Sequence, residues 1–175
     1  PMLVEMKNGI STWSFSGALG FNQLAQSAYY TNSPLWLILL LVPNSKMVAA
    51  VDMIVAFRFG LAGLSFCIWL RHKYKTNSLT TVAFSLAYSL SAYTLAFINQ
   101  FMWMDAIVLL PIVALGLERL CKFKKSYLYI FSLALTLYTN FYIGYMVCVF
   151  SIIYFLYICF RNKVSWKKRL NLFFH

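Results

Sequence analysis

Acidic side chains are scarce in this chain: among 175 residues only Glu5, Asp52, Asp105 and Glu118 carry a carboxylate. Asp105 follows the polar, aromatic turn Asn99-Gln-Phe-Met-Trp-Met104 and opens a long apolar run. A carboxylate at the mouth of such a run can act as a general base, or bind a sugar hydroxyl or a metal ion. It can equally satisfy the free N–H groups of a helix's first turn. Arg58 lies inside another apolar run, where an unpaired guanidinium costs about 2.5–3.5 kcal/mol, so it needs a partner or a wet cavity. Asp52 is a poor mate, because six helical residues put it about 120° around the axis from Arg58. That leaves Arg58 as an interhelical structural pair, a snorkelling side chain, or a cation for an anionic group such as a lipid-linked phosphate. Asn99 opens the polar turn. Trp103 within it is suited to anchor at a membrane interface or to stack on a sugar ring. Asn140, Tyr142 and Tyr145 form a second polar turn, whose amide and phenols suit a hydroxyl-rich ligand or the free backbone of a helix break.

The elements that must position these residues are membrane helices. The chain is 62% hydrophobic and 11% charged, with a mean hydropathy of +0.72. Soluble domains run at about 45–50% apolar and about 25% charged, so a soluble core is excluded. Successive apolar runs predict an all-α, polytopic integral membrane protein with spans near 47–70, 79–98, 105–120, 126–142 and 144–160. The last two come from one stretch, 126–160, which as a single helix would extend about 50 Å and must therefore break, near Asn140–Gly144. Residues 1–46 hold nothing long enough to span. Leu35–Val42, bracketed by Pro34 and Pro43, is short enough to lie along the interface, and residues 1–46 read as a loop with interfacial segments.

Net charge of +11 invites a nucleic-acid reading, but the distribution excludes it. Twelve of the fifteen Lys and Arg fall in three clusters, at 71–75, 119–125 and 161–169, which five crossings bring to one side. The positive-inside rule makes that side cytoplasmic. Residues 1–46, the 99–104 turn and the 140–144 turn then share the outer face. Gly60, Gly63, Ser85, Ser89, Ala92 and Gly116 lie within spans, where small residues allow close helix packing. Glu118 beside Arg119 reads as a local ion pair.

The sequence contains no nucleophile triad, phosphate loop, dinucleotide fingerprint or zinc pattern. Cys67, Cys121, Cys148 and Cys159 read as small buried hydrophobes, and His72 and His175 as solvated. No bound cofactor is implied, and a divalent metal stays open. The chain begins at Pro1 without an initiator Met and stops at His175, which reads as a piece of a longer protein.

Tyr88-Ser-Leu-Ser-Ala-Tyr93, Trp103-Met-Asp-Ala106, Leu110-Pro111, Gly116, Glu118-Arg-Leu120 and Asn140-Phe-Tyr-Ile-Gly-Tyr-Met146 together resemble the bacterial YfhO family of polytopic membrane proteins. Trp13-Ser-Phe-Ser-Gly-Ala-Leu-Gly20, Tyr29-Tyr30, Ser33-Pro34, Arg58 and Gly60-Leu-Ala-Gly63 extend the likeness over nearly the whole chain. The resemblance implies a GT-C-like glycosyltransferase of the bacterial plasma membrane. Such enzymes take a sugar from a polyprenyl-phosphate carrier and attach it to an envelope polymer, teichoic acid in the Gram-positive case. It also implies a main catalytic acid in an outer loop upstream of Pro1, which leaves Asp105 as a second catalytic candidate. Arg58, Asn99, Trp103, Asn140, Tyr142 and Tyr145 become candidates for binding substrate. The runner-up functions are a transporter or lipid flippase lined by Arg58 and Asp52, and a non-catalytic membrane scaffold.

Overall fold

A computed structural model describes residues 13–14, 20–22, 32–75, 78–123 and 125–161. The expectations for residues 15–19, Tyr29, Tyr30, Lys124 and residues 162–175 lie outside it. Within residues 1–31 the described part is a two-residue antiparallel pair, with Trp13 opposite Asn22 and Ser14 opposite Phe21.

All other regular structure among the described residues is helical. Helix α1 runs Met47–Tyr74, α2 Leu79–Ser89, α3 Ala92–Ala96, α4 Met104–Phe123, α5 Tyr127–Thr139 and α6 Phe141–Arg161. Asn44–Tyr74, Leu79–Ala96 and Phe141–Arg161 are long and apolar enough to cross a membrane. This is an all-α membrane protein. Helix α4 has the length, at 20 residues, but carries Asp105, Glu118, Arg119 and Lys122. Helix α5, at 13 residues, reaches about 20 Å, short of a hydrocarbon core of about 30 Å. Helix α4 is the hub, packed on α1, α5 and α6, while α2 packs on α1. The C-terminal ends of α1, α4 and α6 converge on the basic end of the bundle.

The expected span at 79–98 is interrupted. Helix α2 stops at Ser89, and Ser91 begins α3 by accepting a hydrogen bond from the Thr94 N–H at 3.4 Å. A local hydroxyl cap makes this break without any Gly or Pro. The break in 126–160 is narrower than expected. It falls on Asn140 alone, whose extended backbone (φ −155°, ψ 109°) separates α5 from α6, so α6 is a full 21-residue helix rather than a short span.

Pro111 does not break α4. Proline has no N–H for the carbonyl four residues earlier, which is that of Ile107. The Tyr88 hydroxyl of α2 donates to that carbonyl at 2.8 Å. Tyr88 is itself held by stacking on Phe66 of α1, with centroids 4.4 Å apart. In lipid an unsatisfied carbonyl is costly, so this one bond lets a proline sit mid-helix.

Small residues set three of the helix contacts. A Cβ on Gly63 would rest against Ser85 and Ser89 of α2 at ordinary distances, 3.5–3.6 Å. One on Gly116 would fall 2.7 Å from the Tyr129 backbone of α5, and one on Gly144 would fall 2.9 Å from Leu137 Cα. Gly60, expected to pack similarly, faces open space, and Ala92 is exposed. The buried hydroxyls of Ser65, Ser85, Ser89, Ser132, Thr136, Thr139 and Ser151 each donate to a carbonyl three or four residues back in their own helix. They close polar groups locally and let helices approach.

The segment bracketed by Pro34 and Pro43 forms a 3-10 helix, Pro34–Leu41, starting at the Ser33 cap. Trp36 and Leu39 bury against Ile54 of α1, while Leu37, Ile38 and Leu41 are exposed. A second short 3-10 turn, Asn44–Lys46, leads into α1.

Candidate functional site

Arg58 is fully buried and Asp105 is 6% exposed. They meet, with Arg58 Nη2 donating to Asp105 Oδ2 at 3.0 Å. The same nitrogen donates to Ser33 Oγ at 2.8 Å, and the guanidinium lies over the Trp36 ring, 4.7 Å from its centroid. Three elements thus converge on one cation: α1, the first turn of α4, and the capped start of the 3-10 helix. Asp105 is the second residue of α4, inside the helix rather than at its cap position, and its carboxylate is engaged by Arg58. Asp52, rejected as Arg58's mate on angular grounds, is exposed.

The register of this pair fixes relative depth. Arg58 is about 24 Å from the C-terminal end of α1, and the residues of α1 before it project about 16 Å beyond the start of α4. The 3-10 helix packs against that projection. With the basic turn that begins at Arg71 at one edge of a hydrocarbon core of about 30 Å, Arg58 lies about 20 Å in, well within the core.

Two cavities flank the first turn of α4. On one side Asp105 borders a small cavity of about 180 Å³ with Pro34, Leu35, Leu61, Leu135 and Thr139. On the other, Trp103 and Ala106 line a mostly apolar cleft of about 350 Å³, closed by Tyr93 and Thr94 at the α2–α3 break and by Ile143 and Val147 of α6. Trp103 is braced there by Phe97, with ring centroids 5.3 Å apart.

The other expected site residues share this end of the bundle but not one surface. Asn140 is fully buried and accepts the Ile143 N–H on Oδ1 at 3.0 Å, which is helix N-cap geometry. Tyr142 and Tyr145 are exposed while their neighbours Ile143, Met146 and Val147 line the cleft. Asn99 is exposed in the turn after α3. Ser33 and Trp36 were not singled out as site residues. The Ser-Pro pair at 33–34 carried a signal for a capped helix start, though none for its arginine.

Glu118 is not paired with Arg119. It accepts the Tyr154 hydroxyl of α6 and lies 3.5 Å from Lys73 Nζ of α1, tying three helices together at the basic end. Among the described residues no three His, Cys, Asp or Glu side chains gather as a metal ion would require.

A bundle of apolar helices that buries an Arg–Asp pair at the first turn of its central helix, with a cavity on either side of that turn, defines a polytopic integral membrane protein with a buried charged centre. The chain belongs to the bacterial membrane protein YfhO family, whose model matches residues 2–175. No curated protein matches it, and no solved structure does.

Proposed function

We propose that this protein is a GT-C-like glycosyltransferase of the bacterial plasma membrane, with its basic loops in the cytoplasm. Its donor is a sugar on a polyprenyl-phosphate carrier and its acceptor an envelope polymer such as teichoic acid. The observation that carries this reading is the buried Arg58–Asp105 pair at the first turn of α4, where the next residue, Ala106, lines a mostly apolar cleft of about 350 Å³. An isoprenoid chain needs apolar walls at membrane depth, and its phosphate needs a cation at the end of them. In the reaction an acceptor oxygen bonds to the anomeric carbon, the bond from that carbon to the phosphate breaks, and the acceptor proton passes to a base. Stabilising the departing phosphate falls to Arg58 in this scheme. Asp105, held by Arg58, acts through it as a positioning residue, and Trp103 offers a stacking face to the donor.

The test is sugar transfer from a radiolabelled polyprenyl-phosphate donor in membranes carrying the full chain. Arg58→Lys and Asp105→Glu each keep both charges while shifting the contact by about an ångström, enough to cost about 10²-fold in transfer. Unchanged transfer at equal membrane levels would remove the pair from the site. A second reading, a transporter or flippase, is favoured by the interrupted helices at Leu90–Ser91 and Asn140 near the same pair. Lipid translocation without sugar transfer in reconstituted vesicles would select it.

A further inference from the structure

The basic end of the bundle holds a third cavity, separate from the Arg58 centre. Three helices that run in the same direction, α1, α4 and α6, end around an open pocket of about 420 Å³. Its lining includes Lys73, Lys75, Lys122 and Arg161 against one carboxylate, Glu118, an excess of three positive charges. Glu118 is already engaged by Lys73 and by the Tyr154 hydroxyl, and Lys73 lies over the Trp69 ring at 4.5 Å. Lys75, Lys122 and Arg161 are exposed around that satisfied floor.

Cations at helix C-termini complement the helix dipoles, and positive charge on this side fits membrane topology. Both account for the charge of Lys75 but not for its backbone. It closes α1 in the left-handed region, φ 52°, where glycine is the ordinary residue. Lysine carries a backbone cost there that glycine would not, and Lys75 lines the pocket.

We infer that this pocket binds the phosphate headgroup of an anionic phospholipid. Three cationic side chains from three helix ends can surround one phosphate, and basic pockets between membrane helices at the interface take such headgroups. A lipid is favoured over free phosphate by the surroundings. Tyr157, itself half exposed, lines the pocket, and Phe123 and Phe160 next to Lys122 and Arg161 are exposed apolar surface, so acyl chains can continue along the bundle. Bound there, one lipid would clamp α1, α4 and α6 together.

The test places the full chain in phosphatidylcholine nanodiscs containing graded phosphatidylglycerol and reads the lipid retained by native mass spectrometry. Wild type should retain phosphatidylglycerol selectively. Lys75→Gly, Lys122→Gln and Arg161→Gln should each weaken retention about fivefold, as expected for one interfacial charge. Lys75→Gly relieves the left-handed backbone, so its loss of lipid cannot be assigned to misfolding. Arg71→Gln, an exposed basic residue of α1 outside the pocket lining, should leave retention unchanged. An effect of Arg71→Gln equal to that of Lys75→Gly would mean a diffuse positive field and would overturn the inference. So would inorganic phosphate protecting the protein against heat as well as phosphatidylglycerol does, because the lipid would then have no special place there.

Discussion

Removing one member of the Arg58–Asp105 pair should cost more than removing both. Arg58 is fully buried and Asp105 nearly so, so Arg58→Met strands a carboxylate and Asp105→Leu strands a guanidinium. Breaking a buried pair costs about 3–5 kcal/mol, and the insertion penalty of a lone Arg at membrane depth is about 2.5–3.5 kcal/mol. Each single variant should therefore lose about 3 kcal/mol, roughly a hundredfold in the folding equilibrium. The double variant strands no charge and should lose no more than either single, a coupling energy of about 3 kcal/mol or more. Ser33→Ala removes one hydrogen bond to a charged group and should cost less, about 1.5–3 kcal/mol. Reversible unfolding of the full chain in bicelles, followed by steric trapping, measures all four. Additive losses in the double variant would refute the pairing, as would single variants within about 0.5 kcal/mol of wild type.

Other perturbations test other joints. Tyr88→Phe should cost about 1–3 kcal/mol by stranding the Ile107 carbonyl, and little in a Pro111→Ala background, where the substituted backbone supplies the missing N–H; the same unfolding assay compares the two. Gly116→Ala, whose Cβ would fall 2.7 Å from the Tyr129 backbone, should lose about 1–3 kcal/mol by forcing α4 and α5 apart. Gly63→Ala and Gly60→Ala should be tolerated in parallel thermal-shift measurements. Asn140→Ala should lose about 1 kcal/mol with the α6 cap, and Asn140→Asp, which keeps the capping oxygen but buries a carboxylate, should lose more, by the same thermal readout. Cysteines placed at Lys75 and at Asn99 should label from opposite faces of intact cells, with Lys75→Cys reactive only after permeabilisation.

The helical membrane architecture was legible because apolar runs and charge gaps are local properties of sequence. So was the need of Arg58 for a partner, since the cost of a lone guanidinium in lipid does not depend on the fold. The identity of that partner was not legible. Asp105 lies 47 residues away, and only the offset between α1 and α4 brings them level. The break at Leu90–Ser91 escaped because its signal is one hydroxyl cap among many serines and threonines that instead bond back within their own helices. Pro111 could have suggested a kink, and the compensating Tyr88 could not be foreseen without knowing that α2 would reach it. Asn140 was recognised as a break, but whether its amide faced ligand or backbone depended on the direction of a side chain. Glu118 looked outward to Arg119 in sequence and turned across the bundle in space.

The 47-residue separation between Arg58 and Asp105 also sets a clock on biosynthesis. Translation at about 5–20 residues per second leaves Arg58 without its carboxylate for roughly 2–9 s after it is made. Ser33 and Trp36 precede it in the chain and emerge first. A hydroxyl and an indole face are weak company for a guanidinium in lipid, but they are ready when it arrives. The start of the 3-10 helix thus offers the arginine its first partners, and Ser33 keeps its bond to Arg58 once α4 has arrived.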